Sequence, residues 1–144
     1  MKFLNSIKEY ILLIILIFII SSCNKNNDDN IIVDYGGAAQ YFINNQTAKN
    51  IIIIFQKSEE LGLEIDTTNV IEKNTSSKIL EDAIIGANPV PKNSFREIKI
   101  YESTDLNNPF IILSPVENED WTIISQDLGS SAYGLTTYEI KLTD

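Results

Sequence analysis

The sequence predicts an all-β domain, an antiparallel β-sandwich, behind a short N-terminal signal helix and a disordered polar tether. Two observations carry the fold. Short runs rich in isoleucine, tyrosine, phenylalanine and threonine recur along the chain, with turn residues between them at intervals of about 8–12 residues. The composition, 44% apolar and 22% charged over 144 residues, suits one small globular domain with short appendages.

The first thirty residues differ from the rest. Lys2 and Lys8 precede an apolar run from Tyr10 to Ile20. As a helix, Ile11 to Ile20 would rise only about 15 Å, half of a roughly 30 Å hydrocarbon core. That length suits the apolar segment of a signal peptide, and the run lacks the polar face of a core helix. Ile20-Ser21-Ser22-Cys23 follows and resembles the lipobox of bacterial lipoproteins: an aliphatic residue, two small residues, then cysteine. Isoleucine stands where leucine is commoner, and Ser22 where glycine or alanine is. The resemblance implies cleavage ahead of Cys23 and acylation of its thiol, hence a lipid anchor in the membrane. Residues 1–22 are then the signal peptide and 23–34 a lipidated tether. Its stretch Asn24 to Asn30 is uniformly polar and can bury nothing. Lys25 with Asp28-Asp29 also resembles the export signals of Bacteroidetes surface lipoproteins, which points to the outer membrane.

From residue 35 to 144 the strands read in order. Gln40–Asn44 is short and aromatic, and Asn44-Asn45-Gln46-Thr47 is turn chemistry. Ile51–Gln56 holds four consecutive isoleucines, expected to be buried on both faces. Leu63–Ile65 and Asn69–Glu72 read as short strands around an Asp66-Thr67-Thr68 turn. Lys78–Ile85 fits a strand, with two helical turns as the alternative. Asn88-Pro89-Val90-Pro91 reads as extended loop. Arg96–Tyr101 alternates, Ile98 and Ile100 on one face and Glu97, Lys99 and Tyr101 on the other. Phe110–Leu113, Trp121–Ser125 and Thr137–Leu142 complete the set. The expected core is Ile52 or Ile53, Ile98, Ile100, Trp121 and Ile140.

Three phrases carry a wider resemblance: Tyr41 to Thr47, Ser94 to Tyr101, and Asp120-Trp121 with Tyr138–Asp144. Together they resemble small Bacteroidetes lipoproteins with immunoglobulin-like or transthyretin-like sandwiches. The resemblance implies fold and location and supplies no activity.

The composition also excludes chemistry. There is no histidine, so the commonest general base and metal ligand are absent. Cys23 is the only cysteine, which leaves no intramolecular disulfide and no Cys/His zinc site. Removal of residues 1–22 leaves nine basic and nineteen acidic residues, a formal charge of −10. That balance argues against nucleic acid, whose phosphates need Lys and Arg. No cofactor and no metal is expected.

Several short motifs invite a site, and each has a plainer reading. Ser22-Cys23-Asn24-Lys25 is the one literal Ser-x-x-Lys match, but it straddles the cleavage position. Thr75-Ser76-Ser77-Lys78 reads as a polar turn. Nothing singles out a carboxylate pair for hydrolysis, so a non-catalytic protein is expected. Glu117-Asn118-Glu119-Asp120 lacks the glycine of a calcium loop and reads as a solvated turn. Trp121 could stack on a glycan, but an aromatic at a strand start belongs more often to the core. Asp66-Thr67-Thr68 resembles an O-glycosylation acceptor of Bacteroidetes envelope proteins, at Thr67. The expected function is a membrane-tethered binding or accessory module, with a cationic protein or a glycan as partner. The alternative is an acidic immunity or inhibitor lipoprotein that blocks a basic toxin or enzyme. Glu117, Glu119 and Asp120 are the expected partner contact.

Overall fold

The structure, a computed structural model, describes residues 35–144. The signal peptide and tether expected over residues 1–34, with Cys23, lie outside the described residues. Eight strands form two four-stranded sheets: β1 Gly36–Asn45, β2 Ile51–Lys57, β3 Ile65–Thr67, β4 Thr75–Ile85, β5 Phe95–Glu102, β6 Ile111–Leu113, β7 Thr122–Leu128 and β8 Gly134–Leu142. One sheet has the order β4-β1-β8-β7 and the other β3-β2-β5-β6. The expected all-β sandwich is the fold found. All strand pairs are antiparallel except β1 with β8, which run parallel and set Tyr41 opposite Tyr138. The order is distinct from the immunoglobulin constant type, whose first strand sits at a sheet edge. Here β1 lies inside its sheet, between β4 and β8.

The core follows from period-two alternation. Ala39, Tyr41 and Ile43 of β1 point inward, as do Ile51, Ile53 and Phe55 of β2 and Ile98 and Ile100 of β5. Tyr138, Ile140 and Leu142 of β8 join them. The expected core residues Ile53, Ile98, Ile100, Trp121 and Ile140 are all buried. Aromatic rings fill the middle. Tyr41 stacks on Tyr138 at 5.4 Å and meets the edges of Phe95 and Trp121 at 4.9 and 5.3 Å. Such pairs each contribute about 0.5–1.5 kcal/mol beyond the area they bury.

Several expectations need correction. The four isoleucines of β2 are not buried on both faces: Ile51 and Ile53 are fully buried, while Ile52 and Ile54 are half-buried on the outer side. Asp66 and Thr67 form no turn, because β3 spans Ile65–Thr67 and pairs with Ile54–Gln56. Turning happens earlier, where Gly62 and Leu63 take positive φ, 88° and 59°. Asn69–Glu72 contributes only an isolated bridge, Ile71 to Ile51. Tyr101 lies on the outer face as expected, yet it is buried there. Residues 78–85 are strand, within β4, and β4 carries a bulge that leaves Ile79 without a partner on β1. Pro91 ends the extended Asn88–Val90 stretch by starting a one-turn helix, α1, Pro91–Ser94.

The loop from β1 to β2 crosses between the sheets and is organised by one side chain. Asn45 is fully buried; its Nδ2 donates to the carbonyls of Lys49, Ile71 and Glu72 at 2.8, 3.2 and 3.2 Å. Its Oδ1 accepts from the amide and hydroxyl of Thr47. An amide so fully engaged stabilises the turn and is closed to modification.

Candidate functional site

Two places bring chemical groups together, one buried and one exposed. The buried one starts from alternation in β4. Leu80, Asp82 and Ile84 pair with the inward residues Tyr41, Ala39 and Gly37 of β1, so a carboxylate points into the core. Ala39 opposite Asp82 is small and leaves room for a third group. Ser94, at the end of α1, fills it: its Oγ donates to Asp82 Oδ2 at 2.6 Å. A hydroxyl has one proton, so the 2.7 Å contact between Ser94 Oγ and Tyr41 is a donation from the tyrosine. The result is a directed chain, Tyr41 to Ser94 to Asp82, ending on a charge-assisted bond. Burial pushes the Tyr41 phenol well above the usual tyrosine range, and the neighbouring Asp82 adds to the shift. Tyr41 and Ser94 are 0% exposed and Asp82 is 5% exposed, so no substrate reaches the serine. The chain of bonds is a clip between β1, β4 and α1.

The exposed place lies at one end of the β3-β2-β5-β6 sheet. The amide of Ser58, just past β2, donates to the Ser94 carbonyl at 3.0 Å, which sets the loop after β2 beside α1. Lys57 does not contribute a free charge, because its ammonium holds Glu64 and Asp66, each at 2.9 Å. Those bonds raise its pKa. Arg96, the chain's only arginine, is different. Gln56 pairs with Glu97 and Lys57 with Phe95, so Arg96 is the extra residue of a β-bulge. A bulge re-aims a side chain away from the regular sheet face. Arg96 and Lys92 are exposed, and among the described residues neither forms an ion pair.

These segments and the Pro115–Glu117 loop enclose a groove of about 330 Å³. Phe95 and Val116, both buried, form its base, and Glu59, Lys92, Arg96 and Glu117 stand around it. Ser58 also lines it. Among the described residues two solvent-shielded polar atoms have no hydrogen-bond partner, Ser58 Oγ and Trp121 Nε1. Both belong to segments that frame this end of the sandwich.

Glu117, Glu119 and Asp120 do come together in one exposed turn, as the sequence suggested. The turn is anchored at both sides. The Glu117 amide donates to Asp120 Oδ2 at 3.0 Å, and the Lys92 amide donates to Asn118 Oδ1 at 3.2 Å. Trp121, next in the chain, is buried against Tyr41 and stacks on Phe95 at 5.5 Å. The indole is therefore core and offers no glycan platform. Of the three acids only Glu117 borders the groove. Thr67 lies exposed on the edge strand β3. Among the described residues no three His, Cys, Asp or Glu side chains gather as metal ligands.

Sequence reasoning missed Ser58, Lys92 and Arg96. The solitary arginine in a chain of this charge was the one readable signal. No family model, curated protein or solved structure matches the chain.

Proposed function

We propose that this chain is a lipid-anchored envelope protein, held through Cys23, that acts as a non-catalytic binding or accessory module. The observation that carries the reading is the exposed Glu117–Asp120 turn. It is fixed to the scaffold by Trp121 and Asn118 and closed by reciprocal bonds between Glu117 and Asp120, while all three acids stay exposed and Glu119 leaves its carboxylate to solvent. A rigid acidic projection beside a groove suits recognition of a cationic protein, since like-signed lipid and nucleic acid are repelled. The twelve residues 23–34 reach at most about 40 Å when extended, enough to hold the domain clear of the headgroups. The burial of Ser94 and Asp82 supports a non-catalytic role, because this serine–carboxylate pair, among the described residues, is closed to substrate.

The same turn supports a second reading, an immunity or inhibitor lipoprotein whose acids cover a basic toxin or enzyme. One experiment separates the readings. Cells expressing the chain with a photocrosslinker at Glu119 are fed a fatty-acid probe, and the crosslinked envelope proteins are captured. The module reading expects a lipid-labelled chain, labelling lost in Cys23→Ser, and a basic envelope protein at the turn. The inhibitor reading expects one secreted toxin or enzyme held at nanomolar affinity. Equal labelling of wild type and Cys23→Ser would remove the anchor from the account.

A further inference from the structure

The groove between the Ser58–Glu59 loop, α1 and the Pro115–Glu117 loop carries two cations and two carboxylates around an apolar base. We propose that it binds a small zwitterion, a free amino acid or dipeptide. The ligand's carboxylate would lie on Arg96 and Lys92, and its ammonium on Glu59 or Glu117.

Three observations support this. The charges cancel, so an anion or a cation alone would leave one pair of groups unmatched, whereas a zwitterion matches both. Arg96 is placed by a bulge, a device that costs ladder bonding and recurs where a side chain must be re-aimed. A guanidinium free of protein carboxylates keeps its planar fork open for bidentate contact with a ligand carboxylate. The third is size: about 330 Å³ lies at the small end of ligand pockets, room for an amino acid or dipeptide. Exposed Pro115 lines the groove beside the buried Phe95 and Val116 and provides an apolar contact for the ligand's side chain.

The proposal deepens the binding-module reading and rests on it, but it is measured without a membrane. Failure here leaves the acylation and crosslinking test untouched. The full chain, isotope-labelled and held in detergent, is titrated with alanyl-leucine while amide resonances are followed by NMR. Saturable shifts are expected at Ser58, Glu59, Lys92, Arg96 and Glu117, with a Kd of roughly 0.1–1 mM for so open a site. Amidation of the dipeptide's carboxylate should weaken binding about 10-fold or more, as should Arg96→Gln, the loss expected for a charge-assisted bond. In Arg96→Gln the amidated and free dipeptides should bind alike, because the partner of the carboxylate is gone. N-acetylation should weaken binding to wild type and to Arg96→Gln by the same factor. Lys92→Gln, also at an exposed position, should give a smaller loss of the same kind. No saturable shift up to about 10 mM would overturn the proposal. So would shifts centred elsewhere, or equal affinity of Arg96→Gln and wild type.

Discussion

Asp82 and the acids of the 117–120 turn are the same chemistry put to opposite uses. Asp82 sits among Tyr41, Ser94 and Ala39 inside the sandwich, where its charge is spent on a 2.6 Å bond from Ser94. Glu117 and Glu119 are exposed; within the turn the Glu117 carboxylate accepts from the Asp120 amide and the Asp120 carboxylate from the Glu117 amide, and Glu119 stands in water. The buried carboxylate stabilises the fold because its removal takes from the Ser94 hydroxyl its 2.6 Å acceptor and leaves it only the Val90 carbonyl at 3.4 Å. The exposed ones contribute little to folding, because solvent already satisfies them. What separates a buried structural acid from an acid open to solvent in this molecule is burial and geometry, not residue type.

That contrast can be broken in several places. The largest effect is expected in the apolar core itself, where Ile100→Ala should destabilise the domain by about 2–5 kcal/mol in urea denaturation. A loss below about 1 kcal/mol would mean that the two sheets do not pack as described. Ser94→Ala comes next. It removes the proton that Asp82 accepts and the acceptor that Tyr41 uses, so a loss of about 2–3 kcal/mol is expected. With Asp82→Ala the two should be far from additive, since both cut the same chain.

Tyr41→Phe should cost about 1 kcal/mol at neutral pH, the net worth of one hydrogen bond. Its signature lies at high pH. Burial raises the phenols of Tyr41 and Tyr138, so the folded state keeps both protonated where the unfolded chain does not. Above the ordinary tyrosine pKa near 10 the unfolded state binds fewer protons, and stability falls as pH rises. Below that value the contribution is complete. The fall should be visible in denaturation midpoints between about pH 9 and 11, and Tyr41→Phe should flatten it.

The smallest effect on folding and the clearest on recognition belong to the exposed acids. Replacing Glu117 and Glu119 with Gln and Asp120 with Asn should slow association with a captured basic partner. Raising salt should slow the wild type toward the variant, as the Debye length falls from about 10 Å at 0.1 M to about 3 Å at 1 M. Rates indifferent to both changes would make the charge a matter of solubility alone.

Much of the fold was legible. Alternation in Arg96–Tyr101 and Thr137–Leu142 placed Ile98, Ile100 and Ile140 inward, and the strand expected over Trp121–Ser125 begins one residue later, at Thr122, and runs on to Leu128. Two things were out of reach. Which strands are neighbours depends on pairings between distant residues, so the parallel contact of β1 with β8 leaves no local trace. The groove is likewise built from Ser58, Lys92 to Arg96 and Pro115 to Glu117, three segments that meet only in the folded chain. The clip was half visible. Leu80, Asp82 and Ile84 share one face of any strand there, which sets a carboxylate on the apolar side, but nothing local announces that Ser94 will meet it. The run Ile51–Ile54 misled because isoleucine is tolerated on a half-covered outer face as well as in the core.

The central claim is that the buried carboxylate holds the sandwich and the exposed acids are free to meet a partner. The most direct measurement is urea denaturation of three proteins side by side: wild type, Asp82→Ala, and the triple variant Glu117→Gln, Glu119→Gln, Asp120→Asn. Asp82→Ala should lose about 2–3 kcal/mol, and the triple variant should stay within about 0.5 kcal/mol of wild type. A triple variant as unstable as Asp82→Ala, or an Asp82→Ala as stable as wild type, would contradict it.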